Sequence, residues 1–140
     1  MFNPSRDEAR QFLFGTWSKY KNGEPLTPLE GMALDVIALH PEYQPILDDA
    51  ARYAERDYLP EFGETNPFLH LNLHLAVVEQ LSIDQPPGIR AAYERLRSKM
   101  GDEHAALHTV LECLAETIWQ AQRDASAPEG AVYLDCLARR

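Results

Sequence analysis

Cysteine is scarce in this chain. Only Cys113 and Cys136 occur, too far apart for a C-x-x-C motif. That spacing argues against a zinc ribbon or a thioredoxin-like centre, and the expectation is two reduced, partly buried thiols in a cytoplasmic protein. Cys113 follows Glu112 directly and points away from the histidine row described below, which argues against a cysteine nucleophile. No apolar run approaches the roughly 18 residues that a membrane-spanning helix needs. The opening residues MFNPSRDE are charged and lack an apolar core, so no secretion signal is expected and the chain is placed in the cytoplasm. Basic residues are also few. Lys and Arg total 13 against 22 Asp and Glu, a formal net charge of -9. A surface that acidic repels phosphate backbones and anionic lipid headgroups, so neither nucleic acid nor membrane is an expected partner.

Several chemical signatures are missing too. The sequence contains no G-x-G-x-x-G and no Walker loop, leaving nucleotide binding unsupported. It has no H-E-x-x-H, which excludes a zincin-type protease site. The absence of E-x-x-H counts against a ferritin-like di-iron centre.

What remains is an ordinary globular composition. Hydrophobic residues make up 45% and charged residues 25% of 140, enough for one folded domain and against disorder. Asn3-Pro4 pairs an N-cap with proline at the first helical position, and a stripe of Phe12, Leu13, Thr16, Trp17 and Tyr20 extends that helix over residues 4–20. Lys21-Asn22-Gly23 stops it. Thr27-Pro28-Leu29-Glu30 is a capping box, and the helix it opens runs to His40, where Pro41 ends it. Residues 41–65 are broken by Pro41, Pro45, Pro60 and Gly63 into short helices around 42–48 and 50–56, then loop. Further helices are predicted over 67–83, 89–100, 103–123 and 128–139. No strand-like alternation is present. The chain is expected to be all-α, a single-domain helical bundle of about five to seven helices over residues 1–140. Trp17, Tyr20, Phe68, Tyr93 and Trp119 fall at core-like helical positions and are expected to serve packing.

Four of the five histidines form two H-x-x-x-H pairs, His70/His74 and His104/His108. Residues four apart share a helix face, so each pair sets two imidazoles one turn apart. His70 and His74 lie on the side of Val77, Val78 and Leu81, opposite Asn72 and Glu79, and are expected to be largely buried. His104 and His108 lie roughly 60° and 100° from the centre of their helix's apolar stripe, bordering the core. Glu112 continues their row one turn on. If the pairs meet, four nitrogen donors converge, enough for a tetrahedral zinc or for three ligands plus a water on zinc or iron, with Glu112 as ligand or orienting carboxylate. His40, at a helix end before Pro41, is expected to meet the helix dipole.

The stretches MFNPSRD, GEPLTPLE, HPEY, RDYLPEFGETNPFLHLNLHLA, EQLSIDQPPGIR, GDEHAALH, LECL and WQAQR together resemble the bacterial domain-of-unknown-function family 1841. The resemblance implies a bacterial, cytoplasmic, single-domain protein and brings no activity, substrate or cofactor with it. Two functions stand open: a metal-binding helical protein using His70, His74, His104, His108 and Glu112, or a structural or interaction module whose histidines tie helices together. The second predicts an exposed apolar groove or dimer face near residues 41–65, with a homodimer or another protein as partner.

Overall fold

The computed structural model of the chain describes residues 6–58 and 66–140. Among these, eight α-helices and one 3-10 turn occur and no strand, so the protein is all-α. The chain divides into two compact units, Met1–Leu75 and Ala76–Arg140, with the boundary inside one helix. The expected start of the first helix at Asn3-Pro4 lies outside the described residues, as do Pro60 and Gly63.

The first unit holds α1 (Arg6–Lys21), α2 (Pro28–Ala38), the 3-10 turn Pro41–Tyr43, α3 (Gln44–Leu47), α4 (Ala50–Tyr53) and the start of α5 (Pro67–Ile83). Acidic residues in the first turn of α1 and lysines in its last complement the helix dipole. Gly23 ends α1 at φ +70°, with Gly23 N–H donating to Tyr20 and Glu24 N–H to Lys19, a Schellman closure. The capping box forms as the sequence dictates. Thr27 Oγ1 accepts from Glu30 N–H at 3.2 Å, and a Glu30 carboxylate oxygen accepts from Thr27 N–H at 2.9 Å. The same carboxylate takes Lys19 Nζ at 2.9 Å, which clamps α1 to α2. Trp17 Nε1 donates to Asp48 at 2.7 Å and ties α1 to the end of α3. Leu13, Val36, Ile37, Leu71 and Leu75 are fully buried in this unit, each contributing on the order of 1.5–3 kcal/mol.

Arg10 is buried with them. Its guanidinium donates to the carbonyls of Tyr53, Ala54 and Arg56, at 3.2, 3.2 and 2.7 Å, and lies 4.5 Å from the Phe68 ring. Carbonyls left open at a helix end replace the water that a buried cation gives up. Phe68 in turn meets Phe14 at 5.4 Å between centroids, so α1, α4 and the start of α5 share one cluster. Asn66 caps α5, its Oδ1 accepting from the N–H groups of Phe68 and Leu69.

The second unit contains the rest of α5, then α6 (Ile89–Met100), α7 (Glu103–Arg123) and α8 (Gly130–Ala138), with α6, α7 and α8 packed pairwise. The Asp84 carboxylate accepts from Gly88 and Arg90 N–H and caps α6. Gly101, at φ +69°, closes α6, and Asp102 opens α7 by accepting from His104 N–H at 3.0 Å. Val77, Ile89, Leu96, Val110 and Leu137 are among this unit's most deeply buried aliphatic side chains. Tyr133 from α8 donates its buried hydroxyl to Gln80 Oε1 at 2.7 Å.

Two expectations are corrected. Cys113 on α7 and Cys136 on α8 are joined by a disulfide rather than left as thiols, because α7 and α8 bring their Cα atoms to 5.7 Å. Trp119 and Tyr20 are 59% and 53% exposed; Trp119 stacks with Arg123 on the surface instead of entering the core. Leu69 on α5 is also exposed. The expected break-up of the segment after Pro41 is present, as a 3-10 turn and two four-residue helices over residues 41–53.

The α2 cap can be tested by stability. Thr27→Ala should destabilise the protein by about 1 kcal/mol in urea unfolding, and Thr27→Ser should restore most of it. The bond from Thr27 N–H, and then Lys19, hold the Glu30 carboxyl below its ordinary 4.5. A lowered pKa stabilises the fold above the unfolded value, and this is lost as pH falls through the folded one. Glu30→Gln should therefore be less stable than wild type at neutral pH, and the two should converge below the ordinary carboxylate range.

Candidate functional site

The first unit gathers three imidazoles. His70 and His74 lie one turn apart on α5, as their spacing requires, with ring centroids 6.0 Å apart. The third ring is His40, which enters from the loop after α2. Pro41 disfavours helix at the preceding residue; α2 closes at Leu39 and His40 turns to φ -129°, ψ 66°. That turn sends the ring into the interior, where it is 3% exposed. Its centroid lies 4.5 Å from His70 and 5.5 Å from His74, both edge-on, and it stacks on Tyr43 at 5.2 Å and 18°. His74 is fully buried and His70 half-buried.

The hydrogen bonds fix which nitrogen of His40 carries the proton. Its Nδ1 lies 3.0 Å from a Glu42 carboxylate oxygen, and a carboxylate can only accept. Nδ1 therefore donates, and in the neutral ring the lone pair is left on Nε2. That atom lies 3.1 Å from His70 Nε2. Without an ion, His70 Nε2–H donates to His40 Nε2. Two nitrogens on one tetrahedral ion, each at ~2.0–2.1 Å, stand about 3.3–3.4 Å apart, close to the same separation. A nitrogen of His40 and one of His74 lie within 4.8 Å of each other. The bond to His40 holds the Glu42 carboxyl below its ordinary value, and burial pushes the Tyr43 hydroxyl up.

The second unit holds the other pair. His104 and His108, both half-buried on α7, have ring centroids 4.2 Å apart and offer nitrogens within 4.8 Å of each other. Glu112 does not join them. It is exposed and its carboxylate takes Arg140 Nη1 at 3.0 Å. Of the residues expected opposite the α5 histidines, Asn72 and Glu79 are half-buried, and burial raises the Glu79 carboxyl.

A family model described as Domain of unknown function (DUF1841) matches residues 5–139. The chain belongs to the DUF1841 family. Searches of curated proteins and of solved structures found no match.

The spacing of histidines in this DUF1841 chain marked His70, His74, His104 and His108 but missed His40, Glu42 and Tyr43. The signal for them was the run H-P-E-Y, in which proline breaks the helix and the carboxylate stands two residues from the imidazole. Helical periodicity has no purchase on such a segment. The proton assignment is directly measurable. Nitrogen-15 NMR of the metal-free protein should show His40 as the Nδ1–H tautomer, and Glu42→Ala should shift it toward Nε2–H. As Glu42 is mostly exposed, the substitution should cost less than about 1 kcal/mol of stability.

Proposed function

We propose that the protein binds a transition-metal ion, zinc or iron, on imidazole nitrogens. In the first unit the donors are His40, His70 and His74. In the second they are His104 and His108. One observation carries this reading: His40 Nε2 has its lone pair turned to His70 Nε2 at 3.1 Å, while a carboxylate grips the opposite nitrogen. A carboxylate on the far nitrogen is how proteins orient a metal-binding imidazole and raise its basicity. An ion there replaces the single proton that the two nitrogens otherwise share. Three imidazole ligands leave a coordination position open for water, the condition for metal-assisted hydrolysis.

A structural role has its own support. The contacts from Glu42 through His40 to His70, with Tyr43 stacked on His40, form a polar network that can hold α2 to α5 with no ion. Metal content separates the two. Protein purified without a histidine tag should carry zinc or iron near stoichiometry. Adding zinc at 100 times its Kd to stripped protein should stabilise it by about 2.7 kcal/mol. His40→Ala and His74→Ala should each abolish uptake in the first unit, and uptake should weaken on acidification because protons compete for the same lone pairs. No bound metal, and no stabilisation by zinc, iron, manganese or nickel, would leave the structural role standing.

A further inference from the structure

The disulfide of the second unit sits beside a carboxylate in a way the disulfide itself does not explain. Cys113 and Glu116 are three residues apart on α7 and so share a face, and Cys136 meets them from α8. Glu116 Oε2 lies 3.2 Å from Cys136 Sγ. A sulfur in a disulfide has no proton to donate, so this contact sets lone pairs against lone pairs. The other oxygen, Oε1, is occupied by Arg140 Nη2 at 3.5 Å, which leaves Oε2 facing the sulfurs. One donor atom from each of Cys113, Glu116 and Cys136 lies within 4.8 Å of the other two. A thiol proton or a cation between these atoms turns the contact into an attraction.

We propose that the dithiol form of this cluster is a binding site for a soft or borderline divalent cation of the zinc class. Its ligands are Cys113 Sγ, Cys136 Sγ and Glu116 Oε2, and the disulfide is its closed, metal-free state. Opening takes two electrons and two protons from a dithiol reductant, which leaves as its own disulfide. The Cys113–Cys136 bond breaks to two thiols. Cation binding then forms two sulfur–metal bonds and releases both thiol protons. Rotation about the Cα–Cβ bonds parts the sulfurs toward the roughly 3.8 Å edge of a tetrahedral thiolate site. The sulfurs are buried, at 0% and 4% exposure for Cys113 and Cys136, while the Glu116 side chain is 53% exposed. Reductant and ion therefore enter past Glu116, and a water completes the four positions. Two thiolates favour zinc or cadmium over the harder magnesium or calcium.

Cadmium gives a readout that histidine donors do not, the ultraviolet charge-transfer band of thiolate bound to the ion. The full-length chain, reduced with a phosphine and titrated with cadmium, should develop this band to a plateau at one equivalent. The oxidised chain and the Cys136→Ser variant should not. Glu116→Gln, at an exposed position, should raise the cadmium Kd by about tenfold or more. The proposal is overturned by a reduced wild type that shows no band, or by a Glu116→Gln variant that binds as wild type does. Loss of helical circular dichroism on reduction overturns it equally, since the dithiol form must be folded to present the site. His40→Ala and His74→Ala should leave the band intact, so failure of the imidazole reading and failure of this one are told apart.

Discussion

A neutral imidazole carries one donor and one acceptor, and burying it obliges the fold to supply a partner for each. Burial of the His40 ring imposes that condition on the first unit. Its donor is met by Glu42, two residues away along the same turn, and its acceptor is met by His70 on α5. The turn follows from Pro41, which disfavours helix at His40 and leaves α2 closed at Leu39. The position of α5 therefore matters to α2 for a polar reason as well as an apolar one. An unpaired buried polar group costs on the order of 1–3 kcal/mol, comparable to burying a whole aliphatic side chain. An arrangement that slid α5 by a turn would lose this pairing.

Arg10 and the α2 cap show the same logic with ordinary structural consequences. A guanidinium buried beneath Phe68 is held by carbonyls at the end of α4, where the short helix cannot satisfy them itself. Glu30 closes the capping box and also receives Lys19, so one carboxylate starts a helix and clamps its neighbour. In the second unit the disulfide and the Tyr133 hydroxyl bond anchor α8 to α7 and α5 respectively. Each is a polar or covalent contact at a place where the apolar surface alone leaves the register of two helices open.

Much of the helix pattern was legible in the sequence. The bounds of α6 and α7 and the start of α5 follow from punctuation: Gly101 between α6 and α7, Asp102 as a cap, Asn66-Pro67 before the apolar run. These signals are local, acting through backbone hydrogen bonds within one turn. The histidine pairs were legible for the same reason, since four residues is one turn of helix. Burial was less legible. Trp119 and Leu69 are apolar residues on apolar helices, and hydrophobicity cannot say which side of such a helix another element covers.

The sequence by itself determined that the protein is all-α, where its main helices begin and end, and that two pairs of imidazoles stand one turn apart. Those properties depend on residues within about five positions of one another. Only the tertiary structure decided that His40 joins His70 and His74, that Glu112 turns to Arg140, and that Cys113 and Cys136 bond. His40 and His70 are 30 residues apart and the cysteines 23. Which residues meet over such distances is set by how helices pack, and packing is selected by the total burial of many side chains rather than by any motif among them.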